Sequence, residues 1–406
     1  MSTSPRPRFF GFDVHDKYVM IAAVDQRQTV LFPPRKVKRE ELRAWMDAHV
    51  QPIDQVALEA SGSVWPLVDR LQARVERVVV AHASDVKLIA SSLVKTDKRD
   101  ALVLARLLAA DLLPAIWIPP EPVRQLRTLI SHRQQIRKQR QAALNRMRNL
   151  LKQWELQPPT NAIDTPAARL WWEALALNPT QRLLVSQNLQ LLNDLATMLT
   201  DIERELARLS TASPWQDQLA FLIQLPGIGL LNAMTILSAI GDIARFPTPK
   251  HLVGYSGLGA RVHQSGHTHH TGGITHRGRP ELRTALVEAA WSAVNFNPHW
   301  KPLFQPLAAR LGRSKAIIVI ARKLLVAVWH VWSKQAADRH ADADAVARSL
   351  MHWASSHRVA TAQGLRRTAF VRRELNRLGL GYDLEQVRYG GRQHALPPPP
   401  TVSVSV

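Results

Sequence analysis

Leu192, Leu195, Leu199, Ile202, Leu206 and Leu209 recur at 3,4,3,4,3 spacing, and Val185 and Asn188 carry the same register backwards. A stripe of that period runs along one side of an α-helix and stays buried only if another helix covers it. The spacing therefore predicts a coiled-coil helix here, and obliges this chain or a second copy of it to supply the partner. Asn188, polar and on the seam, suits a register-setting contact.

One candidate partner lies upstream. Residues 123–153 contain no acidic side chain, while Arg124, Arg127, Arg133, Arg137, Lys138, Arg140, Arg146, Arg148 and Lys152 recur through a helix-compatible sequence. Such a helix repels itself unless an anion lies along it; a solvated basic face is the plainer alternative. The whole chain leans the same way. Its 53 Lys and Arg against 32 Asp and Glu leave a net charge of +21, the footprint of a polyanion binder, with nucleic acid the leading partner. Arg133, Arg137, Lys138 and Arg140 are the candidate contacts. No basic amphipathic anchor or lipidation signal argues for a membrane surface. Cysteine is absent, which excludes disulfides and thiolate ligands and leaves oxygen and nitrogen to hold any metal.

At 406 residues the chain is long for one core, and changes of texture divide it. "FFGFDVHDKYVMIAAVD" (9–25) reads as two strands about a turn at His15-Asp16-Lys17. Two further apolar runs, "QVALEA" and "VERVVVAH", alternate with the helical patterns "EELRAWMDAHV" and "ALVLARLLAADLL", predicting an α/β domain over 1–117. "IPPEP" punctuates the chain, and 118–215 holds the basic helix and the seam. A mainly helical region follows over 216–335. In it "QLPGIGLLNAM" sets Gly227 and Gly229 ahead of a small apolar helix. That arrangement fits a helix-hairpin-helix turn whose backbone N–H groups approach a phosphate, or a plain turn between core helices. "AIIVIARKLLVAVWHVW" (316–332), interrupted by Arg322 and Lys323, is short for a bilayer span and reads as a buried helix. Residues 336–406 add a basic helical stretch and a Pro-rich tail that need not be ordered. The opening residues lack the apolar core of an export signal, which predicts a cytoplasmic protein.

In so basic a chain, the acidic residues at element ends stand out. Asp13 sits inside an apolar strand-like run, and Glu59 closes another at "LEASGS"; a carboxylate in either place needs a partner or a cation. Asp97 and Asp100 in "KTDKRDALVLARLL" lie three apart at a helix start, on one face. Helix capping explains that pair taken alone. Together with Asp13 and Glu59 it makes four carboxylates suited to Mg²⁺, or Mn²⁺, bridging a phosphate. The order Asp, Glu, Asp-x-x-Asp resembles the site of the resolvase-type, ribonuclease-H-like nucleases.

"VHQSGHTHHTGGITHRGRPELR" (262–283) gathers five histidines. Zinc is disfavoured, because no carboxylate precedes Glu281 to orient the imidazoles. Gly266, Gly272, Gly273 and Gly278 allow a tightly turned backbone, and Arg261, Arg277, Arg279 and Arg283 offer forked donors to a phosphodiester. A hydroxyl held there either donates a hydrogen bond or attacks phosphorus.

Taken in order, the stretches around Asp13, "LEASGS", "VKTDKRDALVLARLL", "LPGIGLLNAMTILSAIGDIARFPTPKHLVGYSGLGARVHQSG" and "GGITHRGRPELRTALVEAAW" resemble the DEDD insertion-sequence transposases of the one-ten family, over about residues 9–335. The resemblance implies a RuvC-like, ribonuclease-H-like N-terminal domain, coiled-coil helices, and a mainly helical transposase domain bearing a catalytic serine. By it, Asp13, Glu59, Asp97 and Asp100 hold Mg²⁺, and Ser265 forms a transient phosphoserine with DNA. It further implies donor and target double-stranded DNA selected by a structured noncoding guide RNA (a bridge RNA). Homodimers would pair into tetramers, with the acidic site of one protomer beside the serine of another. The chain departs from the pattern at "GLGARV", where many relatives carry proline after Gly-Leu, and in its density of histidines. Ser256 in "GYSGLG" is a second hydroxyl nearby, but only Ser265 matches the family's Ser-Gly step. His263, two residues before Ser265, is a candidate for proton transfer, with an ordinary polar histidine as the alternative.

Two other functions fit the composition. A metal-only nuclease would activate water at the carboxylates and leave hydrolysed ends. A nucleic-acid-binding scaffold without chemistry would explain the charge and the seam, but gives Asp13 and Glu59 no reason.

Overall fold

Alternation along the first strand, β1 (Phe9–Val14), sorts its side chains between two layers. Phe10 and Phe12 enter one hydrophobic cluster, Phe9 another, and Gly11 and Asp13 share the side of Phe9. In this computed structural model the described residues are 6–89, 96–160, 162–265, 268–276 and 278–399, with the backbone alone described at 88, 262–265 and 268–271. They fall into two compact units, Met1–Pro119 and Pro120–Val406.

The first unit is a mixed α/β layer structure. Its sheet runs in the order β3-β2-β1-β4-β5. β2 (Tyr18–Val24) is antiparallel to β1 and β3 (Val30–Lys38) to β2, whereas β4 (Gln55–Glu59) is parallel to β1 and β5 (Arg77–Ala81) to β4. β3 has no counterpart among the apolar runs: it is mostly exposed and carries Pro33 and Pro34, which an edge strand tolerates. α1 (Leu42–His49) and α2 (Trp65–Gln72) cover the face of Phe10, Phe12, Val56 and Leu58. α3 (Ala83–Ile89) and α4 (Asp97–Ala109) cover the other, where Phe9, Ala57 and Val79 meet Leu104, Ala105 and Leu108. Small residues let α4 lie close to the strands. A Cβ on Gly11 would stand 1.9 Å from the carbonyl oxygen of Ala101, so only glycine lets the first turns of α4 rest on β1.

In the second unit, α5 (Glu121–Gln153) and α7 (Pro179–Leu209) pack as an antiparallel pair, with Arg133 meeting Glu203 and Arg146 meeting Asn188. Val185, Leu192, Leu195, Ile202 and Leu206 of the seam are buried. At one end they join Ala143, Leu144, Met147 and Leu151 of α5 and Trp172 of α6 (Pro166–Ala174) in one cluster. The partner demanded by the seam is thus the chain's own basic helix. Asn188 sits at the seam's edge, accepting from Arg146 Nε at 3.3 Å and donating to Leu184 O at 2.8 Å. A capping box of Asn178 and Gln181, with Pro179 in the first turn, starts α7.

The chain continues through α8 (Gln216–Ile223), α9 (Leu230–Ile240), α10 (Pro249–Ser256), the hairpin β6 (Ala260–Ser265) and β7 (Thr268–Ile274), α11 (Pro280–Phe296), α12 (Trp300–Leu311) and α13 (Arg313–Lys334). By length and composition α13 could cross a membrane. Here Ile317, Ile320, Leu324, Leu325, Val328 and Val331 are buried, and the helix packs against α8, α10, α11 and α12 as the unit's core.

α14 (Ala343–Ser355), α15 (Val359–Ala362), α16 (Arg367–Leu378) and the hairpin β8 (Gln386–Tyr389) and β9 (Arg392–Ala395) belong to the same unit. Buried Arg372 organises this end. It donates to the carbonyls of Gly381 and Pro397, each at 2.7 Å, and to that of Leu384. The start of the Pro-rich segment, expected to need no order, is therefore held as far as Pro397, because one guanidinium ties its carbonyl to those of Gly381 and Leu384.

Candidate active site

The parallel pairing of β1 and β4 sets Phe12 opposite Leu58. Asp13 and Glu59 are the next residues on neighbouring strands, and alternation puts both on the side of α4. Thr96 caps that helix, its hydroxyl accepting the N–H of Arg99. Capping by Asp97, the plainer expectation, is thus taken over by Thr96. Asp97 and Asp100 occupy the first turn, where the helix dipole favours negative charge.

Two side chains absent from the sequence expectation complete the cluster. His15 Nε2 lies 2.9 Å from Asp13 Oδ2 and 3.5 Å from Asp97 Oδ2. The Tyr18 hydroxyl donates to Asp97 Oδ2 at 2.6 Å, and its ring stacks on His15 with centroids 4.6 Å apart. Asp13, His15 and Asp97 each offer one ligand atom, all within 4.8 Å of one another. Burial pushes the Asp13 carboxyl above its ordinary value; His15 opposes the rise, and the charges of Asp100 and Asp97 add to it. The hydrogen bond from Tyr18 holds Asp97 below its ordinary value, with the charges of His15 and Lys36 acting the same way. Glu59 and Asp100 are half-buried. A strand count carries the signal for Tyr18: Asp13 pairs with Met20 across the hairpin, and Tyr18 lies two residues from Met20, hence on the same face.

In the second unit, the histidine-rich stretch forms a hairpin where a loop was expected. Ser265 ends β6 and pairs with Thr268, while His263 pairs with His270. Gly266, His267 and Arg277 lie outside the described residues, as do the side chains of His263 and Ser265. Ser256, the competing hydroxyl, is fully buried. Its Oγ donates to Val253 O at 2.8 Å and accepts the N–H of Leu258 at 3.2 Å, while Arg283 donates to its carbonyl at 3.1 Å. Arg279 pairs with Glu281 at 3.1 Å, and Arg261 is exposed.

The candidate phosphate contacts divide. Arg133 is ion-paired with Glu203 at 2.6 Å, Arg137 with Glu288 at 3.5 Å, and Arg140 with Asp164. The anion lying along the basic helix is thus partly the protein itself. Arg127 caps the end of α9 through Ser238 O and Ala239 O, at 2.8 and 3.1 Å. Burial, with Arg279 next, brings its guanidinium down to about 10. Lys138 is exposed and, among the described residues, has no ion pair. Gly227 serves packing: at φ +79° its missing Cβ would stand 2.2 Å from Ala289 O. Gly229 is exposed at the N-terminus of α9.

Comparison with known proteins matches both units. A model of DEDD transposases of the IS110 group covers residues 10–155, and one described as the transposase IS116/IS110/IS902 family covers 219–305. A pilin gene-inverting protein of Moraxella bovis is 30% identical over 299 residues, 70% of this chain and 82% of that protein. The transposase for insertion sequence element IS1111A of Coxiella burnetii is 28% identical over 251 residues, 59% of this chain and 67% of its own. A probable family 20 transposase of Pseudomonas aeruginosa is 26% identical over 340 residues, 80% of this chain and 96% of its own. With its acidic cluster on β1 and the start of α4, and a relative at that identity spanned over most of its length, the chain belongs to the IS110 family of DEDD transposases, whose activity is DNA recombination in insertion-sequence transposition.

Proposed function

We propose that this transposase cuts and rejoins DNA through a phosphoserine at Ser265, assisted by a divalent cation held by Asp13, Glu59, Asp97 and Asp100. The observation that carries the cation site is the convergence of Asp13 and Asp97, from a strand and a helix start, on His15. The strand order β3-β2-β1-β4-β5, three strands antiparallel and two parallel, supports a ribonuclease-H-like (RuvC-like) reading of the first unit.

The donor set fits a hard cation. Oxygen ligands dominate it, and burial together with the neighbouring carboxylates leaves Asp13 short of positive charge. Mg²⁺ or Mn²⁺ bound there would neutralise charge on a phosphate oxygen. Ser265 Oγ forms the bond to phosphorus while the bond from phosphorus to one deoxyribose oxygen breaks. The serine proton goes to a base, for which His263 stands two residues away, and the released oxygen takes up a proton to become a hydroxyl. The hydroxyl of an incoming strand reverses these steps, restoring the serine and one phosphodiester. Ser256 is a poor rival because its hydroxyl is buried and engaged on both sides.

Rejoining is also what a relative named for inverting a gene requires, since inversion reseals every strand it opens. Arg261, Arg277, Arg279, Arg283, Gly229 and Lys138 are our candidate nucleic-acid contacts. We extend the proposal to guidance by a structured noncoding RNA, for which the net charge of +21 is the support, and, on the family resemblance alone, to dimers that pair into tetramers.

The test combines purified protein, Mg²⁺, the element's own noncoding RNA and labelled donor and target DNA, resolved on a denaturing gel. A protein–DNA adduct present in wild type and Ser256→Ala but absent in Ser265→Ala supports the proposal. Cleavage without an adduct, surviving Ser265→Ala and lost in Asp13→Ala, replaces it with a metal-only nuclease.

A further inference from the structure

The second unit holds a cavity of about 540 Å³ between α12, α13 and the segment 336–340. It shares no residue with the carboxylate cluster or the serine hairpin. Its walls are of two kinds. Trp300, Leu303, Val326 and Ala327 make an apolar side, and His299 and His340, stacked on each other with centroids 3.9 Å apart and 19° from parallel, line the cavity as well. Lys323, Lys334 and Arg339 supply fixed positive charge, against a single carboxylate, Asp338.

The sequence of α13 builds this site. Its inner face is the core of the unit, and Lys323, Ala327, His330 and Lys334, spaced by four, three and four, mark the opposite face. Among the described residues Lys323 and Lys334 have no ion pair, so their charge is available. Lys323 also borders an adjoining groove of about 350 Å³ that brings Lys250 and Arg322 alongside, continuing the cationic track. Arg339 Nε donates to His340 Nε2 at 3.0 Å, which makes that nitrogen an acceptor. Partial burial, with His340 next, holds His299 below the ordinary imidazole value.

We infer that this cavity receives one unpaired nucleotide, its base against the apolar and imidazole walls and its flanking phosphates on Lys323, Lys334 and Lys250. Flat rings beside an apolar floor and a cationic rim are the chemistry of single-stranded nucleic acid, where stacking and phosphate charge act together. The volume is that of a small-molecule site, and a base still paired in a duplex cannot enter it. The nucleotide comes from a single-stranded RNA or from an opened DNA strand, and the experiment separates the two.

Full-length protein is irradiated with oligonucleotides of about 12 nucleotides carrying one thio-substituted pyrimidine, as single-stranded RNA, single-stranded DNA, or DNA with that base paired. Cross-linked peptides are then identified by mass spectrometry. The expected result is attachment within residues 299–303 or 326–340 from a single-stranded probe and none from the paired base. Lys323→Ala/Lys334→Ala, and separately Ala327→Phe, which fills the cavity without changing charge, should each lower the yield about 10-fold or more, with Tm unchanged. RNA or DNA as the better probe assigns the source. Equal attachment from the paired base, attachment only outside these peptides, or yields unmoved in both variants would overturn the inference. Ser265→Ala protein should keep the cross-link, so a failure of the phosphoserine proposal and a failure of this one are told apart.

Discussion

The hydroxyl of Tyr18 on β2 donates to Oδ2 of Asp97 at the start of α4, 2.6 Å away and 79 positions along the chain. The bond holds Asp97 ionised to lower pH and Tyr18 protonated to higher pH, two directions that agree. It also fixes the orientation of the Asp97 carboxylate, whose Oδ2 faces His15 at 3.5 Å.

Tyr18→Phe removes that donor and lets the Asp97 carboxyl rise. The acid limb of the activity profile should move to higher pH, and Mn²⁺ should bind about 10-fold more weakly. Titration calorimetry and a pH–rate series check both. An affinity and an acid limb equal to wild type would take Tyr18 out of the site.

Gly11→Ala should be among the costliest methyl additions in the first unit. The new Cβ meets backbone atoms of Ala101 and Ala105, which have no rotamer to yield with. A loss of about 1–3 kcal/mol or more is expected in urea unfolding, with cation binding weakened as the first turn of α4 is lifted from Asp13. Wild-type stability in the variant would mean that α4 does not rest on β1.

Asp13→Asn should stabilise the metal-free protein while abolishing activity. Burial raises the folded carboxyl above its unfolded value of 3.8, so the fold carries a cost above the folded value that vanishes once pH falls below 3.8. In chelator, Tm should therefore rise by roughly 2 °C at pH 7 and the gain should fade in acid. Mn²⁺ should reverse the order, since it binds only the ionised wild type. A variant less stable than wild type in chelator would contradict this sign.

Arg133 and Lys138 sit five positions apart on α5 and should behave differently. Arg133, held by Glu203 in a largely buried pair, should show a coupling of about 1–3 kcal/mol in a double-mutant cycle with Glu203→Ala. Lys138→Ala should leave stability alone and lower the slope of log K against log[salt] for DNA by about 1. A full unit of slope lost in Arg133→Ala at unchanged Tm would reverse these assignments.

Of the four candidate carboxylates the fold gathers Asp13 and Asp97 around one point; all four, Glu59 and Asp100 included, were conspicuous because a carboxylate inside an apolar run, or doubled at a helix start, is costly. His15 and Tyr18 were not. A turn histidine and a strand tyrosine are ordinary, and only the register across the β1–β2 hairpin and the seating of α4 through Gly11 bring them to Asp13 and Asp97. Arg133 and Arg140 show the converse. In one dimension they are unopposed positive charge, whereas in the fold Glu203 and Asp164 stand against them.

The sequence by itself determined which surfaces are buried: the apolar runs of β1, β4 and β5 and the stripe at 3,4 spacing in α7. Those are local properties of a chain whose side chains repeat with the backbone's own geometry. Tertiary structure alone decided what covers each face. It paired the seam of α7 with the chain's own basic helix, engaged Ser256 inside a helix end and put His15 between two carboxylates. Periodicity reports that a surface must leave water, but the partner is chosen by shape and charge among residues far apart in sequence, and that choice exists only once the chain has packed.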